Sequence, residues 1–597
     1  MEVTRADSFP LSFSEKASRA GFRTADDNSM YALALATDYD GTLAENGVVS
    51  DATRAALERL KETGRKLIMV TGRELADLES VFPELGIFDK VVAENGALVY
   101  TPASKEERIL APAPPAEFVD RLMMRKIAPL SIGRSVVATR EPNETIVLEV
   151  IKDLGLELEI IFNKGAVMVL PSGVNKATGL AAALEDLELS AHNVVGIGDA
   201  ENDHAFLRAV GFGVAVANAL PKVRETAGHV TNGARGAGVR ELIEGLISHD
   251  AALLDTARQR IEIGADDGSG AVMHLSPRAG GVLLAGTSGI GKSTLATALT
   301  ERFVEQGFQF CVLDPEGDYE DLEDVLVVGD AKSPPSSREI FDLLSKPSNN
   351  VAVNMLGIKT AERPNAFAKL LPELAALRAR TGRPHWLIID EAHHLLPHAR
   401  DGTAFALPKS LSATILVTVH PDLVSRDVLA GVDTVLALGP EADKVVESFC
   451  GAIGEGVPPG VVPPPENKVL YWNRSTADPA RPISIERPRQ ERKRHIRKYA
   501  EGDLGDNSFY FRGADGKLNL KAQNLMMFLH IAEGIDDRTW EHHLRAGDYS
   551  AWFRDQVKDQ GLAEEAAVIE DDDSLDPHRS RAAIAEAVHR RYTAPAD

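Results

Sequence analysis

At 597 residues the chain is too long for one hydrophobic core, because single cores stop growing at roughly 250 to 300 residues, so two or three domains are expected. Hydrophobic residues at 44% and charged residues at 26% suit a folded chain, while a formal net charge of -24 leaves nucleic acid as a partner only through some local basic patch. Two cysteines, Cys311 and Cys450, exclude a disulfide framework and a cysteine metal site; no apolar run approaches the ~18 residues of a membrane span, and the start lacks an apolar signal core, so no membrane partner and a cytoplasmic location are expected.

Residues 1–29 are polar and without sustained periodicity, which reads as a flexible leader, or else Met30 is the true start. From residue 30 to 248, strand-like runs (YALALATD, KLIMVTG, KVVAENGALVY, NVVGIGD, FGVAVAN) alternate with helical stretches such as SDATRAALERLKETG, the pattern of a doubly wound α/β sheet. The turn-rich GADDGSG then separates a second strand and helix series over 258–475: GVLLAG, FQFCVLD, NNVAVNML, HWLIID, ATILVTVH and DTVLALG. The proline-rich GVPPGVVPPPENK closes that series, and 480–597 turns to charged and aromatic residues with short helical patterns.

Where the first strand ends stand Asp38 and Asp40, in DYDGTL, two carboxylates one residue apart. Residues i and i+2 of a strand share a side, and a turning Gly41 lets both acids approach one substrate. One can attack phosphorus; the other can protonate the leaving oxygen and later activate water. Thr71 in VTGR offers a hydroxyl to a phosphoryl oxygen, Lys176 in NKATGL supplies a cation, and Asp199 and Asp203 in GDAEND supply carboxylates for Mg2+. All sit at strand ends or helix starts, where an open α/β sheet places its ligands.

These four motifs, in this order, resemble those of the haloacid dehalogenase superfamily. The resemblance implies a Rossmann-like core with Asp38 as nucleophile, Asp40 as acid and base, Thr71 and Lys176 on the phosphate, and a Mg2+ site of Asp38, Asp40 and Asp199 supported by Asp203. Residues from about 84 to 171 would be the α/β cap of the Cof-like, or IIB, subgroup, which resembles archaeal-type phosphoglycolate and sucrose-phosphate phosphatases. A small phosphorylated sugar or organic acid is then the expected substrate; a non-catalytic copy and a mutase are the alternatives.

In the second series, Gly286, Gly289, Gly291, Lys292, Ser293 and Thr294 belong to a GxxxxGK[ST] loop between a strand and a helix, where backbone amides cradle phosphates, Lys292 meets the β and γ groups and Ser293 ligates Mg2+. A P-loop NTPase sheet with ATP as ligand is expected. In HWLIIDEAHHLLP, Asp390 suits a magnesium contact and Glu391 can polarise an attacking water. His420, ending ATILVTVH, is a candidate γ-phosphate sensor. Together these resemble the HerA and FtsK group of ATPases, which implies a ring-shaped homo-oligomer with an arginine finger; His420 replaces the group's usual Gln, and Arg426 and Arg383 are the finger candidates. His393 and His394 follow a Walker strand and need no metal. A bifunctional kinase and phosphatase is the further alternative.

The C-terminal region contains one dense basic run from Arg487 to Lys498 and aromatics at Phe509, Tyr510, Phe511, Trp540, Tyr549, Trp552 and Phe553. A solvated helix face and the packing of a small, mostly helical domain explain them better than base stacking. His542 and His543 carry no ligand signal, and IEDDDSLD reads as a mobile loop.

Overall fold

The computed structural model describes residues 30–250, 257–277, 279–287, 290–320, 322–398, 411–476, 478–485, 488, 507–513, 518–557, 559–572 and 574–591. The leader, Gly289 and the basic run apart from Pro488 therefore lie outside the described residues. The chain forms two compact units, one holding both large sheets and one formed chiefly by the chain from Pro488 onward.

The first sheet is built from β1 (Ala34–Thr37), β2 (Lys66–Val70), β3 (Lys90–Ala93), β4 (Leu98–Thr101), β5 (Glu106–Ile109), β10 (Val194–Gly198), β11 (Phe212–Ala215) and β12 (His229–Val230), in the order β12-β11-β10-β1-β2-β3-β4-β5. Its pairs are parallel from β12 to β3 and antiparallel beyond. Helices cover these strands on both faces, which is why ALAT and VVGIG read as continuous apolar runs. β1 lies at the centre, between β2 and β10, so the three chain segments that leave their C-terminal ends are neighbours in space.

A separate antiparallel sheet forms from β6 (Ser131–Ile132), β7 (Val137–Arg140), β8 (Leu158–Asn163) and β9 (Ala166–Pro171), ordered β6-β7-β9-β8. Helices Ala116–Met124 and Glu144–Leu154 pack on one face through Phe118, Leu122, Val147 and Val150. On the other face, Val136, Met168 and Leu170 meet Ala97 of the core. This is the cap, and it is smaller than the span from 84 to 171: β3, β4 and β5 pair into the core sheet. The alternation in KVVAENGALVY cannot tell whether a strand joins a core or a cap, because pairing partners are set by tertiary contacts.

The second large sheet runs β14 (Val272–Leu275), β13 (Ile261–Asp266), β23 (Arg481–Ser484), β22 (Lys468–Asn473), β21 (Val432–Leu438), β15 (Gly281–Gly286), β20 (Thr414–Thr418), β19 (Trp386–Ile389), β16 (Phe310–Asp314), β18 (Asn350–Asn354), β17 (Val325–Val328). It is parallel from β21 to β17, and β23, counted above with the C-terminal region, pairs antiparallel with β22 and β13.

The two sheets share a buried polar seam. His192 stacks on Phe308 with centroids 3.8 Å apart, and its Nε2 lies 2.8 Å from the Gln306 carbonyl. His385 receives the Gln309 N–H on Nδ1 at 2.9 Å and faces Asn193 Oδ1 with Nε2 at 3.2 Å. The Arg383 guanidinium donates to the carbonyls of Glu188, Leu344 and Ser345 and to Gln309 Oε1. Burial of His192 pushes its imidazole down to about 4, so it is neutral here.

The C-terminal unit comprises the hairpin of β24 (Phe509–Phe511) and β25 (Leu520–Ala522) with helices Leu525–Gly534, Asp537–Ala546, Asp548–Asp555, Gln560–Glu570 and Pro577–Arg591. Phe509, Phe511, Phe528, Trp540, Tyr549, Trp552 and Phe553 form its core, so packing accounts for the aromatics. The acidic segment begins inside a helix: Glu570 is buried and accepts the Tyr549 and Ser550 N–H groups, which a charge pattern alone does not reveal.

Candidate active sites

At the end of β1 the chain turns sharply. Gly41 has φ +85°, and a Cβ there would stand 2.4 Å from Asp199 Oδ2, so the loop needs glycine both for its conformation and for the approach of the last motif. Lys176 opens the helix Lys176–Asp186, whose start is fixed by a capping box between Asn175 and Thr178. That helix start brings a fully buried ammonium to 2.6 Å from Asp38 Oδ1 and 2.6 Å from Asp203 Oδ1. Burial opposes the charge on Lys176, but Asp203 and Asp38 outweigh it and keep the amine protonated. For Asp38, burial comes first, and with the Asp203 carboxylate it outweighs Lys176 and raises the acid to about 7. Both groups shift upward, which keeps Lys176 charged and disfavours the charge on Asp38, because three buried carboxylates outnumber the two ammonium groups that reach them, Lys176 and Lys164: the cluster holds surplus negative charge.

Asp38, Asp199 and Asp203 bring ligand oxygens within 4.8 Å of one another, and all three are buried. Hard oxygen donors with surplus negative charge suit Mg2+, so the residues fit the ion that their motifs imply. Asp203 is less free than the sequence suggests. Its Oδ2 accepts the N–H groups of Asp199 (2.7 Å) and Ala200 (2.9 Å), and its Oδ1 takes Lys176. It therefore shapes the loop that presents Asp199. Asp38 Oδ2, by contrast, accepts no hydrogen bond among the described residues.

Asp40 is half-exposed, and the Arg73 guanidinium binds it with both ends, Nε to Oδ2 at 2.6 Å and a second nitrogen to Oδ1 at 2.7 Å. Asp40 thus stands apart from the buried carboxylate cluster with which the sequence grouped it as a ligand. Thr71 is buried beside it, its Oγ1 accepting the Arg73 N–H at 3.2 Å. Arg73 was legible as the cation of VTGR but was not singled out. Lys164 was not legible at all: it sits on the turn between β8 and β9 of the cap and reaches Asp199 Oδ2 at 2.5 Å.

The second site lies at the C-terminal ends of β15, β16 and β19. Gly291, with φ +104°, precedes the helix Lys292–Glu305, and Lys292 Nζ folds back to 3.1 Å from the Thr287 carbonyl. Gly286 ends β15, with Ser293 and Thr294 in the first helical turn. Asp390 is buried and receives the Glu391 N–H; Glu391 adopts φ +43°, and burial with Asp390 lifts its acid to about 7. Glu391 Oε2 is buried without a hydrogen bond, and Asp314 is raised to about 7, chiefly by burial. Such an acid-rich end beside Lys292 fits a hydrated Mg2+ with a nucleotide. His393 bonds Thr418 Oγ1 at 3.0 Å, whereas His420 is exposed and only its backbone N–H reaches that hydroxyl. Arg383 is consumed by the seam, and Arg426 donates to the Ile453 carbonyl.

Comparison with known proteins bears on both sites. Residues 35–126 and 130–243 match the profile of haloacid dehalogenase-like hydrolases, and residues 277–445 match that of an AAA domain. The chain is 34% identical over 218 residues to a phosphoglycolate phosphatase of Methanothermobacter thermautotrophicus, covering 96% of that protein and 35% of this one. A phosphoglycolate phosphatase of Methanosarcina acetivorans is 29% identical over 222 residues, with 97% of it and 36% of this chain covered. Among solved structures, a haloacid dehalogenase-like hydrolase from Bacteroides thetaiotaomicron aligns over 98% of its own length and 35% of this chain, at 19% identity and a TM-score of 0.32. Among the described residues, no helix is long and apolar enough to cross a membrane.

Proposed function

Because the chain belongs to the haloacid dehalogenase-like hydrolases, we propose that its N-terminal module is a Mg2+-dependent phosphomonoester hydrolase with Asp38 as nucleophile, and that the attached P-loop domain binds and hydrolyses ATP. The observation that carries the first half is the Lys176 ammonium bridging Asp38 Oδ1 and Asp203 Oδ1 while Asp38 Oδ2 stays open.

In this reading Asp38 Oδ2 forms the bond to phosphorus as the ester P–O bond breaks, and the leaving oxygen takes a proton from Asp40. Water then attacks the aspartyl phosphate, Asp40 takes its proton, and free phosphate leaves with Asp38 regenerated. Mg2+, when bound by Asp38 and Asp199, neutralises phosphoryl oxygens. The Arg73 fork occupies both Asp40 oxygens, so the fork must loosen for Asp40 to reach the leaving group or the attacking water. Thr71 is positioned for a phosphoryl oxygen.

For the substrate, the names of the two archaeal relatives support phosphoglycolate or a similar small acid phosphate, and Lys164 is a cap cation suited to an anionic leaving group. The test is phosphate release from phosphoglycolate and a panel of sugar phosphates with Mg2+, wild type beside Asp38→Asn. Cleavage that survives Asp38→Asn would overturn the assignment of the nucleophile, and cleavage of no ester would overturn the phosphatase reading.

For the P-loop domain, Lys292 serves the β and γ phosphates, Ser293 and Asp390 the Mg2+, Glu391 the attacking water and His420 the γ-phosphate. The HerA and FtsK-type reading rests on the order of these motifs. Because Arg383 and Arg426 both serve structural carbonyls, a finger in such a ring would come from some other cation. Sizing with and without ATP tests the ring, and a monomer in both conditions ends it.

A further inference from the structure

We propose that Glu94 is the positioning residue that sets the cap over the Asp38 site; this rests on the phosphatase reading above. Glu94, Asn95 and Gly96 form a turn between β3 and β4 in which three consecutive residues have positive φ, 50°, 55° and 106°. Two of them carry side chains, for which this conformation is costly, and both are 1% exposed.

The turn touches three of the four motifs that form the site. Its backbone N–H groups bind the VTGR loop from behind, Glu94 to the Arg73 carbonyl at 2.9 Å and Asn95 to the Thr71 carbonyl at 3.0 Å. Asn95 Oδ1 accepts from Asn202 of the last motif at 2.9 Å. Gly96 lies against the cap of the Lys176 helix so closely that a Cβ would stand 1.9 Å from the Asn175 carbonyl.

Only the Glu94 side chain leaves the core. Its carboxylate accepts three backbone N–H groups from the turn between β6 and β7 of the cap: Arg134 at 2.9 Å on Oε1, and Ser135 at 2.8 Å and Val136 at 3.2 Å on Oε2. Among the described residues no cation pairs with this buried carboxylate, so its charge is matched by successive amides, an arrangement that recognises an anion by shape. Ser135 Oγ in turn donates to the Ala111 carbonyl on the strand of chain that enters the cap. Charge-assisted bonds between two bodies joined by linkers fix one closing angle, and at that angle Lys164 arrives at Asp199. Asn95 Nδ2 and Asn202 Oδ1, both buried, have no hydrogen-bond partner among the described residues, leaving a donor and an acceptor beside this junction.

Glu94→Gln keeps the shape but turns one acceptor into a donor facing amides. Gly133→Ala strikes the same contact from the cap, because its Cβ would lie 2.8 Å from the Glu94 carboxyl. Two measurements decide the matter: hydrogen exchange at the amides of residues 134–136, and KM against kcat for phosphoglycolate and for p-nitrophenyl phosphate. Both variants are expected to lose about tenfold or more of the protection at those amides and to raise KM for phosphoglycolate about tenfold, the worth of one charge-assisted bond, with kcat little changed. Glu94→Asp should recover part of the loss, and the double variant should be no worse than either single one. Unchanged protection and a KM within about twofold of wild type for Glu94→Gln would overturn the proposal. If wild type cleaves no ester, the phosphatase reading falls and the amide exchange still decides the clamp.

Discussion

Replacing Lys176 with Met removes the one buried ammonium from a site with three buried carboxylates. Asp38 Oδ1 and Asp203 Oδ1 each lose a 2.6 Å partner, and among the described residues none takes its place, because Lys164 already faces Asp199. Breaking a buried pair from one side costs about 3–5 kcal/mol. Part of that cost is relieved by protonation of Asp38, whose acid burial already lifts to about 7. The nucleophile is then neutral at physiological pH, and the phosphoryl group loses a fixed cation. Loss of one such preorganised group costs about 10²–10³ in kcat. The assay is steady-state phosphate release at several Mg2+ concentrations. We expect a fall of that size, partly recovered at high Mg2+ because added positive charge offsets the missing ammonium, with nucleotide binding at Lys292 unchanged. A kcat within about threefold of wild type would refute the electrostatic account of the site. Loss of nucleotide binding as well would mean that the variant had unfolded.

Arg73→Gln should lower kcat by about 10- to 100-fold without altering Mg2+ affinity, because it releases Asp40 from its two-pronged hold while leaving Asp38 and Asp199 untouched; a changed Mg2+ affinity would contradict that separation. Glu391→Gln should retain ATP but lower its hydrolysis by about 10²-fold or more, whereas Lys292→Ala should abolish binding, both read by radiolabelled ATP retention and phosphate release. The seam should weaken in acid. His192 has its ordinary value of 6.5 when unfolded and about 4 when folded, so between those values the unfolded chain binds more protons, and stability present above pH 6.5 drains away as pH falls toward 4. By pH 5 the loss is about 2 kcal/mol, measurable as a lower urea midpoint, and His192→Gln should remove that share of the pH dependence; a midpoint equally acid-sensitive in both proteins would exclude His192 as the source.

The sequence by itself determined the α/β class of both sheets and put the candidate site residues at strand ends and helix starts. Aspartates one residue apart at a strand end, a lysine behind an Asn cap and a glycine-rich loop before a helix are local patterns, and local backbone geometry places their side chains wherever the strand stands. It also favoured packing in a small helical domain over base stacking for the C-terminal aromatics, and most of them lie in that unit's core, Phe509 and Phe511 from a strand rather than a helix.

What it left open depends on contacts between distant segments. Arg73 lies 33 residues from the Asp40 that it binds, Lys164 lies 35 from Asp199, and Glu94 holds amides 40 to 42 residues away. None of these pairings has a sequence period, because they arise where separate elements meet. The same reason explains the misplaced cap boundary. β3, β4 and β5 have an alternation that would suit either sheet, and only their pairing beside β2 assigned them to the core. The seam at His192, Asn193, Arg383 and His385 was equally invisible: two histidines and an arginine look like surface or finger residues until a second domain buries them, and burial then decides their charge and their role.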